Sequence, residues 1–221
     1  MIASRYPSDY LEIEIIDLID PRLNFKFRVD GRASIKGAVG GFVQNKPIIC
    51  GGLSDRGDIQ NCLVLGENFT FSMITNRSYA SSIVLKQKEQ LWVTGGISKS
   101  HTTLNSTEFV KSDQPNTVQG PELPFTISGH TMVQIDSKSI LIIGGWQNGC
   151  ISNKTWFVDL SNGFEIKDGP PLNHARAFHS CSKIILNGKV FIVVASGHGY
   201  KSVEILDSTL PEKGWFFGMH F

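Results

Sequence analysis

The chain has 221 residues, a formal net charge of +1 and a pI near 7.7, which gives no general field to draw nucleic acid or an acidic membrane surface. Hydrophobic residues make up 41%, spread over many short apolar runs between turns and 22 glycines, and this pattern reads as an all-β fold. The longest apolar runs, Ile140 to Ile143 and Val190 to Ala195, fall far short of the roughly 20 residues that cross a bilayer as a helix.

Residues 1–10 have no continuous apolar core or small-residue cleavage site, so no secretory signal is read there and a cytoplasmic chain is expected. The four cysteines, Cys50, Cys62, Cys150 and Cys181, have no metal-site spacing and are expected as buried free thiols. Next come Leu11 to Leu18 and Asp20 to Phe27, which read as two strands of a half-unit over residues 11–30.

From residue 37 the chain repeats itself. Gly37 to Val43, a polar turn, and Pro47 to Cys50 lead into Gly51-Gly52. Ser82 to Leu85, the turn at 86–90, and Leu91 to Thr94 lead into Gly95-Gly96. His130 to Ile135, Asp136-Ser-Lys138, and Ser139 to Ile143 lead into Gly144-Gly145. His179 to Leu186, Asn187-Gly-Lys189, and Val190 to Val194 lead into Ala195-Ser196-Gly197. Counted from Gly51 to Gly95, Gly144 and Ala195, the steps are 44, 49 and 51, a period that means stacked units and not one irregular domain.

Each unit then offers a third strand, beginning at Asn61, Ser106, Lys154 or Ser202, and a fourth near Phe69, Thr117, Phe164 or Trp215. Four antiparallel strands per unit, over about 37–75, 80–120, 129–168 and 179–217, make propeller blades. Gly51, Gly52, Gly95, Gly96, Gly144, Gly145 and Gly197 are read as structural, at crowded strand ends where positive φ is needed.

The diglycine after a buried strand, the Ser202-Val-Glu-Ile-Leu-Asp207 strand, the aromatic after it, and Arg176-Ala-Phe-His-Ser180 following Gly169-Pro-Pro-Leu172 together resemble the Kelch repeat over nearly the whole chain. The usual third-strand tyrosine is replaced by Leu65, Val110, Val158 and Leu206. The resemblance implies a ring of five to seven blades. Four units and a half-blade fall short of that, so an incomplete or open array is expected, with strand edges liable to pair with another chain.

The resemblance also implies a non-enzymatic scaffold that binds a protein partner through blade loops and needs no cofactor, metal, nucleic acid or membrane. Its family roles are recruiting substrates for a cullin-type ubiquitin ligase and binding actin, although no segment here has room for the dimerising domain that the adaptor uses. A related ring, galactose oxidase, holds copper through tyrosines and histidines, and no such ligand motif is recognisable among Tyr6, Tyr10, Tyr79, Tyr200 and the six histidines. A copper-enzyme fragment is therefore a minor alternative. His130 and His179 hold the same place in successive repeats and are expected to pack.

Partner binding is expected from the loops at 53–60, 97–105, 146–153 and 197–201. The candidates are Trp146 and Asn148, His198 and Tyr200, and Arg56 and Asp58, which bracket Gly57 in a tripeptide like that bound by integrins. An extracellular, glycosylated recognition module is the alternative. It draws on the acceptor triplets at Asn68, Asn76, Asn105 and Asn153, and on Cys50 and Cys62, which fall close enough to pair.

Overall fold

The computed structural model describes residues 2–4, 10–15, 25–30, 35–54, 57–67, 69–198 and 200–218. The chain is all-β, and among the described residues there is no helix beyond two single 3-10 turns, Lys86–Lys88 and Pro211–Lys213. Four open, antiparallel four-stranded sheets follow one another along the sequence. Unit one contains Val39–Val43, Lys46–Cys50, Asn61–Val64 and Phe69–Ser72. Unit two contains Ser81–Leu85, Gln90–Thr94, Thr107–Val110 and Val118–Gln119. Unit three contains Thr131–Gln134, Ser139–Ile143, Thr155–Asp159 and Glu165–Asp168. Unit four contains Ser180–Leu186, Lys189–Ala195, Val203–Asp207 and Phe216–Phe217.

Ahead of them Ile2–Ser4, Tyr10–Ile15 and Phe25–Asp30 form a three-stranded sheet, one strand more than the half-unit expected from sequence. Its register sets Leu11, Ile13 and Ile15 opposite Val29, Phe27 and Phe25. Two small hairpin additions were also not foreseen, Ile35–Lys36 with Leu53–Ser54 and Gly57–Asp58, and Trp146–Gln147 with Cys150–Ile151.

The period-2 alternation of the second strands explains how the units stack. In unit two Leu91 and Val93 join Val43, Ile48, Val64 and Phe71 of unit one in one core. Trp92 points the other way, into a second core with Ile140, Ile142, Trp156 and Val158 of unit three. Leu141 and Ile143 of unit three then enter a third core with Ile192, Val194, Leu206 and Trp215 of unit four. The sheets of units two and three thus each supply both faces to neighbours, and each fully buried side chain contributes about 1.5–3 kcal/mol of transfer free energy. The first strands pack in chain order, one against two, two against three and three against four. Unit four breaks the pattern on its far face, where Ile184, Leu186 and Phe216 are exposed.

Two sets of backbone bonds tie the stack together. Along the axis Tyr79 N–H donates to Gly37 C=O at 2.8 Å, Gly129 N–H to Tyr79 C=O at 2.8 Å, and Phe178 N–H to Gly129 C=O at 2.7 Å. All four residues have left-handed φ, from 55° to 65°, and glycines alternate with aromatics because a Cβ at Gly37 or Gly129 would run into the ring of Tyr79 or Phe178. Between neighbouring units, the second glycine of one donates to the segment leading into the next: Gly52 to Arg77 C=O, Gly96 to Ile127 C=O and Gly145 to Arg176 C=O, at 2.8–2.9 Å.

These bonds also correct the last repeat. Ser196 N–H donates to Ser202 C=O as Gly95 does to Ser106 and Gly144 to Lys154, so Ser196 and Gly197 hold the diglycine positions, not Ala195 and Ser196. Ser196 takes up the left-handed φ of 63° in place of the glycine.

The expectation of four free thiols fails for Cys50 and Cys62. They face each other across adjacent strands and form a disulfide, while Cys181 is free and half-buried and Cys150 is free but exposed in a hairpin, not buried. Cys181 lies against unit three, and burial pushes its thiol pKa up. With a sequence separation of 12, the Cys50–Cys62 bridge is worth about 3 kcal/mol by loop-closure entropy. Cys50→Ala combined with Cys62→Ala is expected to lower unfolding stability in urea by about that amount. Thiol labelling of the native chain should modify the exposed Cys150 readily, Cys181 only slowly, and neither Cys50 nor Cys62.

Candidate functional site

The residue after each diglycine stands just past the end of its unit's second strand, where its backbone pairs with the segment leading into the same unit. Leu53 pairs with Lys36, Ile97 with Ser78, Trp146 with Ser128, and His198 N–H donates to Ala177 C=O. Four different side chains are thereby held at one repeated backbone position: Leu53 and Trp146 at 36% and 38% exposure, Ile97 half-buried and His198 exposed. Phe178, on the axial ladder, is 52% exposed, and its ring meets Tyr79 edge-on at 5.4 Å. Rigid strands thus present a row of apolar and aromatic groups on loops, an arrangement suited to docking another surface.

The expected site residues separate within this face. Trp146 opens a hairpin whose turn is Asn148-Gly149, with φ of 50° and 80°, as a type I′ turn requires, so the exposed Asn148 is explained by the turn itself. Tyr200 is 39% exposed and stacks on His174 at 4.5 Å, with the Arg176 guanidinium 6.0 Å from its ring centroid. Phe217 also meets the His174 ring, tilted, at 5.1 Å between centroids. No ring contact joins Trp146 to this second patch among the described residues. Arg56 and the Asp58 side chain lie outside the described residues. Gly57 is exposed, in a short strand paired with Ser54.

Beneath the face lies a polar framework that the sequence reading did not assemble. Arg77 and Glu108 form a buried ion pair at 2.7 Å, and Arg176 and Glu204 form its counterpart at 2.5 Å. Arg77 also donates to Gly95 C=O and Ser106 C=O, at 2.7 and 2.9 Å. Arg176 makes the matching bonds to Ser196 C=O and Ser202 C=O, at 2.7 and 3.1 Å. Each carboxylate takes two backbone N–H groups, Ile74 and Thr75 for Glu108 and Asn173 and His174 for Glu204. The backbone bonds place Ile127 and Trp156 of unit three where the arginine and glutamate stand in the other two, and both are buried in an apolar core there.

The two histidines occupy one structural position, as their sequence spacing implied. His130 Nε2 lies 2.8 Å from Thr94 Oγ1 and His179 Nε2 lies 2.8 Å from Thr131 Oγ1. The partner differs because the hydroxyl has moved across the strand pair: Thr94 faces Ser81 in unit two, whereas Thr131 faces Ile143 in unit three. Burial lowers the His130 pKa to about 3, helped by His179, and burial with the nearby Arg176 charge lowers that of His179 to about 4. Both imidazoles are neutral at physiological pH. Cε1 of His130 would lie 3.2 Å from a Cβ at Gly95, and that of His179 3.0 Å from a Cβ at Gly144, so the first glycine of each pair makes room for the ring of the next unit.

Two of the four glycosylation triplets also have a structural role. Asn105 Nδ2 donates to Leu123 C=O while Thr107 Oγ1 donates to Pro121 C=O. Asn153 and Thr155 repeat this on Leu172 and Pro170, and Gln60 makes the same bond to Met73 C=O in unit one. These side chains recur because each pins the segment that leaves its unit. Trp215 Nε1 joins the same segment in unit three, donating to Pro170 C=O.

Among the described residues no three His, Cys, Asp or Glu side chains converge as a metal site, and no helix is long and apolar enough to cross a membrane. No family model matches the chain, and no curated protein matches it.

Proposed function

We propose that the chain is an open array of Kelch-type blades that binds a protein partner through the diglycine-end face, without catalysing a reaction. The observation that supports this is the division of labour among its residues. The buried ionisable groups Arg77, Glu108, Arg176, Glu204, His130 and His179 are engaged in holding units together, while large aromatic side chains are left exposed on loops. Trp146 is the anchor of choice, since tryptophan on a rigid hairpin offers a large contact area at little entropic cost. Tyr200, braced by His174, is the second. Recruitment of a substrate to a ubiquitin ligase, or binding along actin, are the two roles in which such an array serves.

A partner isolated by crosslinking to the intact chain should lose at least about tenfold in affinity with Trp146→Ala or Tyr200→Ala, with the urea midpoint unchanged. Binding that survives both substitutions would rule this face out. A second reading, an extracellular recognition module, is favoured by the buried Cys50–Cys62 disulfide, since such bridges persist in oxidising compartments. Secretion of the chain with that bridge formed, read on non-reducing peptide maps, separates it from a cytosolic scaffold.

A further inference from the structure

We infer that the chain associates head to tail with a second copy of itself, the far face of unit four in one copy packing on the far face of unit one in the next. The inference rests on how the sheets stack and is independent of the loop face that carries Trp146.

Counted back from the first diglycine position, Gly51, Gly95, Gly144 or Ser196, the third residue is Ile48, Trp92, Leu141 or Val193. This position points toward the following unit, and Ile48, Trp92 and Leu141 are fully buried there. Val193 is only half-buried. The second residue back is Ile49, Val93, Ile142 or Val194, on the opposite face of each sheet. Val93, Ile142 and Val194 are fully buried against the preceding unit, whereas Ile49 is half-buried. The stack thus builds one kind of interface three times and leaves its two halves open, one on unit four and the other on unit one.

Both open faces are apolar. On unit four the register sets Ile184 opposite Phe191, Val193 opposite Ile205 and Ile205 opposite Phe216. Ile184, Leu186 and Phe216 are 47%, 59% and 48% exposed. On unit one Phe42 lies opposite Pro47 and Ile49 opposite Leu63, and Phe42 is 52% exposed. Alternation along the strands puts Lys189 and Asp207, of opposite sign, at the turn end of the unit-four face, and puts no charged residue on the unit-one face.

This chemistry selects the occupant. A sheet face without a charge at its centre discriminates for neither an acidic nor a basic partner, and a contiguous exposed apolar patch of this kind marks an association surface. The surface that covers the equivalent face of units one, two and three is in each case the preceding-side face of the next unit. The open example of that face is the one on unit one, so a second copy continues the stack. Because the two faces differ, the contact is heterologous: copies add in one direction, and they close as a ring or continue as a chain. The contact is sheet face on sheet face, distinct from the pairing of strand edges.

Light scattering on the intact chain over about 1–100 μM should give a mass that rises with concentration above the 24.4 kDa of one chain. Ile184→Glu/Phe216→Glu blocks the unit-four face, and Phe42→Glu/Thr70→Glu blocks the unit-one face. Each variant alone should stay monomeric. All four side chains are exposed, so the urea midpoint in dilute solution should be unchanged, and exchange of the same positions to Ser replaces any pair that lowers it. Mixed in equal amounts, the two variants should form a dimer with one copy of each, because each brings the face that the other lacks, and that dimer cannot grow. Trp146→Ala should leave the mass unchanged. A monomer at every concentration, as expected if the N-terminal sheet of the same chain covers unit four, would overturn the assignment. So would self-association of Phe42→Glu/Thr70→Glu, which would mean that unit four pairs with itself, or a mixture that remains monomeric.

Discussion

Arg176→Ala is expected to destabilise the chain by about 3–5 kcal/mol. The guanidinium is fully buried and joins three pieces of chain: the diglycine position at Ser196, the strand entry at Ser202, and Glu204. Removing it leaves a buried carboxylate whose charge is offset only by the N–H groups of Asn173 and His174 and the Asn173 side-chain amide. Glu204→Gln should cost a comparable amount, because it leaves the cation of Arg176 buried among carbonyls. The double change Arg176→Ala with Glu204→Gln should cost less than the sum of the two, since the second substitution removes the charge that the first left unpaired. Urea unfolding of the four proteins measures this. Unit three supports the reasoning, because Ile127 and Trp156 fill the same pair of positions with no charge at all.

Acid should unfold the chain well before its carboxylates titrate. His130 and His179 have folded-state pKa values of about 3 and about 4, against 6.5 for an unhindered histidine. Above pH 6.5 both states are neutral and the histidines add no pH dependence. Below it the unfolded chain takes up protons that the folded chain refuses, so stability falls with pH from about 6.5 down to the folded-state values. Each unit of lowered pKa is worth about 1.4 kcal/mol, so by pH 4 the two rings together remove on the order of 5 kcal/mol, comparable to the whole stability of many domains. The urea midpoint is expected to drop steeply between pH 6.5 and 4. In His130→Gln/His179→Gln, which cannot titrate, the curve should be flatter and start lower at neutral pH.

Much of the fold was legible because repetition amplifies weak signals. The four first-and-second strand pairs were placed within a residue or two from short apolar runs ending in glycines, and the shared position of His130 and His179 followed from spacing alone. The preceding half-unit was seen without its first strand, since Ile2–Ser4 is too short to show alternation. The last repeat was misplaced by one residue because Ser196 adopts a backbone conformation normally marked by glycine.

The polar framework was hidden for a different reason. The sequences Arg176-Ala-Phe and Ser202-Val-Glu were both recognised as repeat features, but nothing in one dimension shows that a segment before the first strand reaches the third strand of the same unit. The partial loss of the pattern in unit three, where Ile127 and Trp156 replace the ion pair, also weakened it. The disulfide was weighed as a possibility from strand ends alone. The choice between thiols and a bridge needed the register that sets Cys50 directly opposite Cys62.

The most direct test of the repeated architecture is residue-resolved amide hydrogen exchange on the intact chain at neutral pH. The N–H groups of Tyr79, Gly129 and Phe178 along the axis, and of Gly52, Gly96 and Gly145 between units, should be among the slowest to exchange and should open together at the free energy of global unfolding. Gly197, which ends the series, should exchange faster. Fast, unit-by-unit exchange at those six amides would contradict an array held together by its axial ladder and its diglycine contacts.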